Sequence, residues 1–160
     1  MPKAQNNKSS AEGPRQIQNR KARYDYELLD TFEAGLSLEG SEVKSLFLGR
    51  ANLTDAYCTV RDSELWVLNL DIEPYSHASA YLPERRRDRK LLMHRREIDT
   101  IARRAQEKGF AIVPTRLYFR NGKAKLEVAL ARGKRQYDKR HQIAQDEQRR
   151  EIERVRRERF

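Results

Sequence analysis

The dipeptide Asn121-Gly122 is the feature that most constrains what this chain can fold into. Asn and Gly both tolerate the positive φ angles of a two-residue hairpin turn, and β-prone segments flank the pair at residues 116–120 and 123–130. Inward and outward positions alternate in the second segment, with Ala124, Leu126, Val128 and Leu130 on one side and Lys125, Glu127 and Ala129 on the other. The sequence therefore predicts an antiparallel hairpin with one buried face and one solvated face.

Other segments also have β-strand composition. Residues 24–32 are rich in aromatic and apolar residues and stop near Gly35. Residues 56–61 and 64–69 are apolar and β-prone, and the intervening Asp62-Ser63 predicts a second hairpin. A further short segment, residues 110–113, precedes the first strand of the Asn-Gly hairpin.

Two short helices are predicted among these strands. Residues 41–48 fit one helix, which Ser41 caps and Gly49 ends. Residues 93–108 form the second, which stops at Gly109 and has one apolar face made of Ile98, Ile101, Ala102 and Ala105. About six strands around two short helices predict a mainly β fold, a small antiparallel barrel.

The end of the chain differs from this body. Residues 138–160 contain only five apolar residues, too few to pack a helix on a core. Acid–base pairs at helical spacing, at 146/150, 151/154 and 153/157, each contribute only about 0.2–0.5 kcal/mol. Because a helix held mainly by such pairs is marginal in water, we expect this tail to be mobile alone and helical when bound.

Charge is distributed unevenly along the 160 residues. Residues 1–23 and 132–160 each have a net charge of +5, and residues 24–131 are neutral, which gives the chain its net charge of +10. Residues 1–18 lack periodicity and contain Asn, Ser, Gly and Pro, which predicts a disordered N-terminal arm. A barrel domain at 19–132 and a basic C-terminal tail at 133–160 are expected to follow. The excess points to an anionic partner, a nucleic acid or a membrane surface, although tails that only aid solubility explain the charge equally well.

Three basic clusters are candidate binding segments. The first contains Arg20, Lys21 and Arg23 just before the first strand, and the second runs from residue 85 to Lys90. The third, residues 133–140, follows the last strand and combines cations for phosphates with Tyr137 for stacking on a base. The alternative for each cluster is a solvated loop.

The remaining functional classes are not indicated. His77, His94 and His141 lack carboxylate or thiol neighbours at metal-ligand spacing, and no nucleotide-binding or nucleophile motif occurs. Cys58 is the only cysteine and is expected to be a small buried residue. We therefore expect no catalysis, no metal and no cofactor. The basic tail lacks the apolar face and aromatic anchors of a membrane-surface helix, and no signal segment is evident, which predicts a cytoplasmic protein.

Six words of this sequence, in order, resemble the small protein B (SsrA-binding protein) family. They are NRKARY at 19–24, FEAG at 32–35, GSEVKSL at 40–46, RKLL at 89–92, PTRLYF at 114–119 and GKRQYDKR at 133–140. The resemblance implies a barrel of the oligonucleotide-binding type that holds the tRNA-like domain of transfer-messenger RNA. It also implies delivery to stalled ribosomes with elongation factor Tu, where the tail occupies the vacant messenger channel and decoding site, and it implies no catalysis.

The resemblance also implies site residues. RNA-binding positions of the family match Asn19, Glu33, Leu92 and Lys125, and the basic words add Arg20, Lys21, Arg23 and Lys90. Asn and Lys donate to RNA oxygens, Leu92 packs on a sugar or base, and Glu33 accepts from base donors or 2′-hydroxyls or orders a neighbouring Arg. The implied ribosome-binding tail comprises Gly133, Lys134, Arg135, Tyr137, Asp138, Lys139 and Arg140. Phe47 stands where the family usually has Arg, so one phosphate contact is expected to be lost or moved to Arg50.

Overall fold

Antiparallel strands form the body of the protein in a computed structural model that describes residues 14–77, 82–134 and 136–158. The strands are β1 (Ile17–Gln18), β2 (Tyr26–Leu36), β3 (Ala51–Asn52), β4 (Tyr57–Arg61), β5 (Glu64–Leu68), β6 (Asp71–Ile72), β7 (Arg89–Leu92), β8 (Ala111–Arg120) and β9 (Lys123–Gly133). The helices are α1 (Arg20–Asp25), α2 (Gly40–Phe47), α3 (Arg95–Lys108) and α4 (Gln136–Glu158).

Six of the strands close into a ring. Their order is β8-β4-β5-β7-β2-β9, and β9 pairs back with β8. The short strand β1 adds to β8, while β3 and β6 form a separate two-stranded sheet. The ring confirms the predicted mainly β, antiparallel barrel of oligonucleotide-binding type.

The hairpin of β8 and β9 turns at Asn121 and Gly122, whose φ angles are +52° and +73°. This confirms the turn, and the predicted hairpin of β4 and β5 is also present. The two segments predicted at 110–113 and 116–120 are instead one strand, β8. The strand passes through Pro114, where a shift of register against β9 accommodates a residue that cannot donate to the ladder.

The barrel interior is filled by the inward positions of the strands, as the alternation in β9 predicted. Leu126, Val128 and Leu130 are fully buried there, and α2 and α3 close the barrel with Leu46 and Ile101. One part of the prediction is wrong, because Ala129 on the outward face of β9 is also buried. It packs with Ala22, Val113 and Ala131 beneath α1.

Helix α1 replaces the beginning of the strand predicted at residues 24–32. Asn19 caps this helix by accepting a hydrogen bond from the N–H of Ala22, and β2 starts only at Tyr26. Helices α2 and α3 were predicted, although α2 begins at Gly40 with Glu39 rather than Ser41 at its N-cap. Gly49 and Gly109 have φ angles of +74° and +65° at the ends of α2 and α3, as helix-ending glycines require.

The terminal segments were predicted in part. Residues 17–18 were assigned to a disordered arm but form β1, because Ile17 and Gln18 pair with Leu117 and Arg116 of β8. Residues 1–13 lie outside the described residues. Helix α4 contains the predicted pair of Glu151 with Arg154 at 2.7 Å, and mobility of the tail in the free protein stays a prediction. No helix within the described ranges has the length and apolar character needed to cross a membrane.

Candidate nucleic-acid interface

A groove on the outer face of the barrel brings together three residues that are distant in sequence. Gly35 of β2 pairs with Leu92 of β7 on one side and with Lys125 of β9 on the other, and Glu33 lies two residues before Gly35. The groove is lined by Thr31, Phe32, Glu33, Gly35, Leu92, Met93, His94, Glu97 and Lys125. The structure thus places Glu33, Leu92 and Lys125 in one site.

Gly35 sets the depth of the groove. A Cβ atom at this position would lie 3.3 Å from the Cβ of Leu92 and 3.7 Å from one of its methyl carbons. The Leu92 side chain leans over the glycine and still leaves 54% of its surface exposed. An exposed leucine beside a half-buried lysine offers an apolar contact and a cation to the same ligand.

The Glu33 carboxylate is held by two side chains of β8, one through a hydrogen bond and one through an ion pair. The hydroxyl of Tyr118 donates to Oε2, and a guanidinium nitrogen of Arg120 lies 2.9 Å from the same oxygen. Ordering of a neighbouring Arg was one of the roles predicted for Glu33. Burial and the nearby Glu33 carboxylate raise the pKa of Tyr118 to about 12, so its hydroxyl stays protonated and remains a donor at neutral pH.

Tyr118 is itself held between two guanidinium groups. The Cζ atom of Arg116 lies 4.4 Å from the ring centroid and that of Arg120 lies 5.9 Å from it. Arg116 also pairs with Glu127 of β9. Arg116, Tyr118 and Arg120 were not predicted as site residues from the sequence. They alternate along one face of β8, opposite Lys125 and Glu127, and that alternation could have indicated that they share a face with Lys125.

Asn19 has a different role from the one predicted. Its side chain is buried, and both amide hydrogens are used in bonds to the carbonyls of Leu53 (3.1 Å) and Pro114 (2.8 Å). Its oxygen accepts from the Ala22 N–H, which begins α1. Direct donation from Asn19 to RNA oxygens does not fit this arrangement, since no donor is left. The residue instead fixes the position of α1.

The cations of α1 belong to a second cluster, at the opposite end of β2 from the groove. Arg20, Lys21 and Arg23 are exposed, and the ammonium of Lys134 donates to the Arg23 carbonyl (3.1 Å) and to Gln142 of α4 (3.2 Å). Tyr26, where β2 begins, and Gly35 are nine residues apart, or up to roughly 30 Å along a strand. The structure therefore divides the predicted site residues between two clusters.

The tail residues start from the second cluster. Gly133 is the last residue of β9, and the Lys134 N–H donates to the Asp25 carbonyl at 3.0 Å. Arg135 lies outside the described residues. Tyr137, Asp138 and Lys139 begin α4, where only their backbone is described, and Arg140 is exposed in the same helix.

The basic run at residues 85–90 is not an open cationic surface. Arg89 is fully buried and donates to Glu42 at 2.7 Å and to the carbonyl of Leu70 at 2.6 Å. Burial alone would raise the pKa of Glu42, but hydrogen bonds from Arg87, the Glu39 N–H and Arg89 lower it below its ordinary value. The other pairs of the run are Arg85 with Asp71, Arg86 with Asp55 and Asp71, Arg87 with Glu42, and Lys90 with Glu64. Arg89 is therefore not available to RNA, and an RNA-facing role for the exposed cations of the run stays a prediction.

Two other sequence expectations concern single side chains. Phe47 is half exposed and makes an edge-to-face contact with Phe119, with ring centroids 5.9 Å apart, while Arg50 nearby is exposed. Cys58 is buried as expected, and burial raises the pKa of its thiol. Among the residues that the structure describes, no three His, Cys, Asp or Glu side chains are grouped to hold a metal ion.

The six-stranded ring, its outer groove and the basic segments at both ends of the body define a barrel protein of the oligonucleotide-binding type. The sequence model of the SmpB protein family matches residues 16–158. The chain therefore belongs to the SmpB family.

Relatives of known name are similar over nearly their whole length. The SsrA-binding protein of Thermobifida fusca (strain YX) is 52% identical over 149 residues, which are 92% of this chain and 93% of the relative. That of Bacillus cereus (strain G9842) is 48% identical over 142 residues, 89% of this chain and 92% of the relative. A solved chain described as "tmRNA-SmpB: a journey to the center of the bacterial ribosome" superposes with a TM-score of 0.65 at 41% identity, covering 80% of this chain and 94% of that one.

Proposed function

We propose that this chain binds the tRNA-like domain of transfer-messenger RNA with its barrel and brings that RNA to stalled ribosomes for trans-translation. Membership of the SmpB family supports the proposal, as do relatives named for binding SsrA and a solved neighbour described by tmRNA, SmpB and the bacterial ribosome. The observation that carries it is the groove in which Glu33, Leu92 and Lys125 meet.

Each groove residue supplies a different kind of RNA contact. The ammonium of Lys125 neutralises a backbone phosphate, and the exposed face of Leu92 packs against a sugar or a base. Glu33 supplies an acceptor for a base donor or a 2′-hydroxyl, the group that distinguishes RNA from DNA. A carboxylate beside a polyanion is costly unless it is paired, and Arg120 provides that pairing here.

The second cluster supplies further electrostatic attraction. We propose that Arg20, Lys21 and Arg23 contact RNA phosphates from α1, while Asn19 positions that helix from below. Lys90 lies outside this cluster, on β7, and is proposed to contact a further phosphate. Its partner Glu64 is partly exposed, so a phosphate can displace it.

The tail acts on the ribosome rather than in RNA capture. Under this proposal residues 19–132 are the RNA-binding domain, residues 1–18 an arm, and residues 133–160 a segment for the vacant messenger channel and decoding site. Gly133, Lys134, Arg135, Tyr137, Asp138, Lys139 and Arg140 form its root. Elongation factor Tu takes part in delivery in the cytoplasm, and peptide transfer is left to the ribosome, so the chain itself is not an enzyme.

Binding curves for the tRNA-like domain test the groove. Lys125→Ala should reduce the slope of log affinity against log salt by about one contact, roughly 0.7 to 0.9. Leu92→Asn should weaken binding without changing the slope, because it removes apolar contact and no charge. Matched controls are Lys108→Ala at the exposed end of α3 and Leu48→Asn, a leucine of comparable exposure beside α2.

Native RNA co-purification tests the identity of the ligand. One abundant structured RNA should accompany the full-length protein, and Lys125→Ala/Leu92→Asn should release it. A mixture of RNAs without preference, or groove variants that bind as tightly as the controls, would refute the proposal.

A further inference from the structure

The two oxygens of the Glu33 carboxylate have different surroundings. Oε2 accepts a hydrogen bond from the Tyr118 hydroxyl and forms the ion pair with the Arg120 guanidinium. Within the described parts of the chain, no hydrogen-bond donor reaches Oε1. Both protein partners therefore engage Oε2, and the lone pairs of Oε1 are open to a ligand.

Tyr118 is placed to fix the direction in which Oε1 points. In the outward-facing rows of the sheet, Tyr118 of β8 lies opposite Lys125 of β9, and Glu127 of β9 lies opposite Glu33 of β2. The tyrosine and the glutamate therefore reach toward each other over the intervening strand, across two strand spacings or roughly 10 Å. The Arg116 and Arg120 guanidinium groups both make cation–π contacts with the Tyr118 ring.

We propose that Tyr118 is a positioning residue of the RNA site, which holds Oε2 of Glu33 so that Oε1 faces a hydrogen-bond donor of the bound RNA. This inference rests on the proposed function. The donor is an N–H on a base edge or a ribose 2′-O–H, since both present the same chemistry to a carboxylate oxygen. The tyrosine touches no RNA itself and acts through the glutamate.

Coupling between two substitutions distinguishes positioning from simple packing. Tyr118→Phe keeps the ring and its cation–π contacts but removes the hydrogen bond to Glu33, and Glu33→Gln removes the charged acceptor. Each should weaken binding of the tRNA-like domain by roughly 10- to 150-fold, the range expected for one hydrogen bond to a charged group. The double variant should bind the RNA as tightly as the single variant of lower affinity, because Tyr118 acts only through Glu33.

Three controls accompany this cycle. Tyr75→Phe removes a hydroxyl from a partly buried tyrosine that contacts Lys44 and His77, outside both proposed RNA-binding clusters, and should leave affinity unchanged. The salt slope of Tyr118→Phe should equal that of the unmodified protein, since no phosphate contact is lost. Arg120→Gln removes the ion-pair partner of Oε2 and should show the same coupling to Glu33→Gln, which keeps the test decisive if Tyr118→Phe misfolds.

The two sources of the donor are separated by modified RNAs. Single 2′-deoxy substitutions are scanned through the tRNA-like domain against the full-length protein. Single base substitutions that remove one exocyclic amine are scanned in the same way, with inosine for guanosine, nebularine for adenosine and zebularine for cytidine. One position should weaken binding to the unmodified protein and have no effect in Glu33→Gln, and its chemistry identifies a hydroxyl or a base amine. The absence of any such position would overturn the inference.

The outcomes separate this inference from the proposed function. If Glu33→Gln weakens binding and Tyr118→Phe does not, the positioning role fails while the groove stands. If the two effects multiply in the double variant, Tyr118 acts independently of Glu33, which also overturns the inference. If Lys125→Ala and Leu92→Asn leave binding unchanged as well, the groove is not the RNA site and the proposed function fails with it.

Discussion

Replacement of Arg89 by Met separates the structural cations of this protein from those available to RNA. Arg89 is fully buried and donates to Glu42 and to the carbonyls of Leu70 (2.6 Å) and Arg85 (2.9 Å). Met fills a similar volume but cannot donate a hydrogen bond. The buried Glu42 charge then loses one of its cationic partners, and the carbonyls of Leu70 and Arg85 lose the guanidinium donor. Breaking one side of a buried ion pair costs about 3–5 kcal/mol, so we expect the free energy of unfolding to fall by that amount.

The assay is reversible unfolding in urea and by heat, with RNA binding measured at a temperature where the variant is folded. For a chain of this size 1 kcal/mol corresponds to about 2–4 °C in Tm, so a loss of about 3–5 kcal/mol should lower the midpoint by roughly 6–20 °C. The control is Arg61→Met, which removes an exposed pair with Asp88 (3.2 Å, both side chains about half exposed) and should cost at most about 1 kcal/mol. The RNA affinity of folded Arg89→Met should match that of the unmodified protein.

The dependence of stability on pH is a second test of the buried ion pair between Glu42 and Arg89. Because the folded state lowers the pKa of Glu42 below its ordinary value of 4.5, its contribution is present above about pH 4.5 and is lost as pH falls through the folded pKa. The stability difference between the unmodified protein and Glu42→Gln should therefore narrow on acidification below that point.

Equal stabilities of Arg89→Met and Arg61→Met, or a loss of RNA affinity in folded Arg89→Met, would refute the structural role assigned to Arg89.

Four further predictions follow from the site. Gly35→Ala should push the Leu92 side chain outward and weaken binding of the tRNA-like domain with an unchanged salt slope, since the added carbon lies 3.3 Å from the Leu92 Cβ. Asn19→Ala should lower the free energy of unfolding by about 1–3 kcal/mol in denaturant titrations, because it removes a cap and leaves buried carbonyls unpaired. Truncation after Arg132 should keep most of the RNA affinity in a binding curve, and complete loss of binding would contradict the division between body and tail. Asp138→Ala/Lys139→Ala/Arg140→Ala should leave RNA binding intact and abolish tagging of nascent chains on stalled ribosomes; parallel losses in the two assays would mean that the tail root belongs to the capture surface.

The elements predicted from the sequence are those whose signals are local. Asn121-Gly122 determines its hairpin because both turn residues adopt positive φ without strain, and α3 has apolar spacing and a terminal glycine within one segment. Glu33, Leu92 and Lys125 were predicted through the family resemblance, and the strand pairings place them in one groove. Residue periodicity alone would not have brought those three positions together.

The elements missed are those decided by contacts between distant residues. Helix α1 is too short to be stable alone, and it depends on Asn19, whose partners Leu53 and Pro114 lie 34 and 95 residues away. The run at 85–90 has the composition of an RNA-binding segment, yet its partners are the carboxylates of Glu42, Asp55, Glu64 and Asp71 on other elements. The composition of the run shows its cations, but it does not show which carboxylates of other elements pair with them in the folded protein.

The two ends of β2 lie in the proposed RNA-binding groove and at the root of the proposed ribosome-binding tail. Its far end carries Glu33 in the groove, and its beginning pairs with Gly133 at the root of the tail. Lys134 connects α1 to α4 through hydrogen bonds to the Arg23 carbonyl and to Gln142. Because the ring of strands is closed, displacement of the tail frees no edge strand that could rearrange near the groove. Under the proposed function, RNA in the groove therefore stays bound while the tail takes its place on the ribosome.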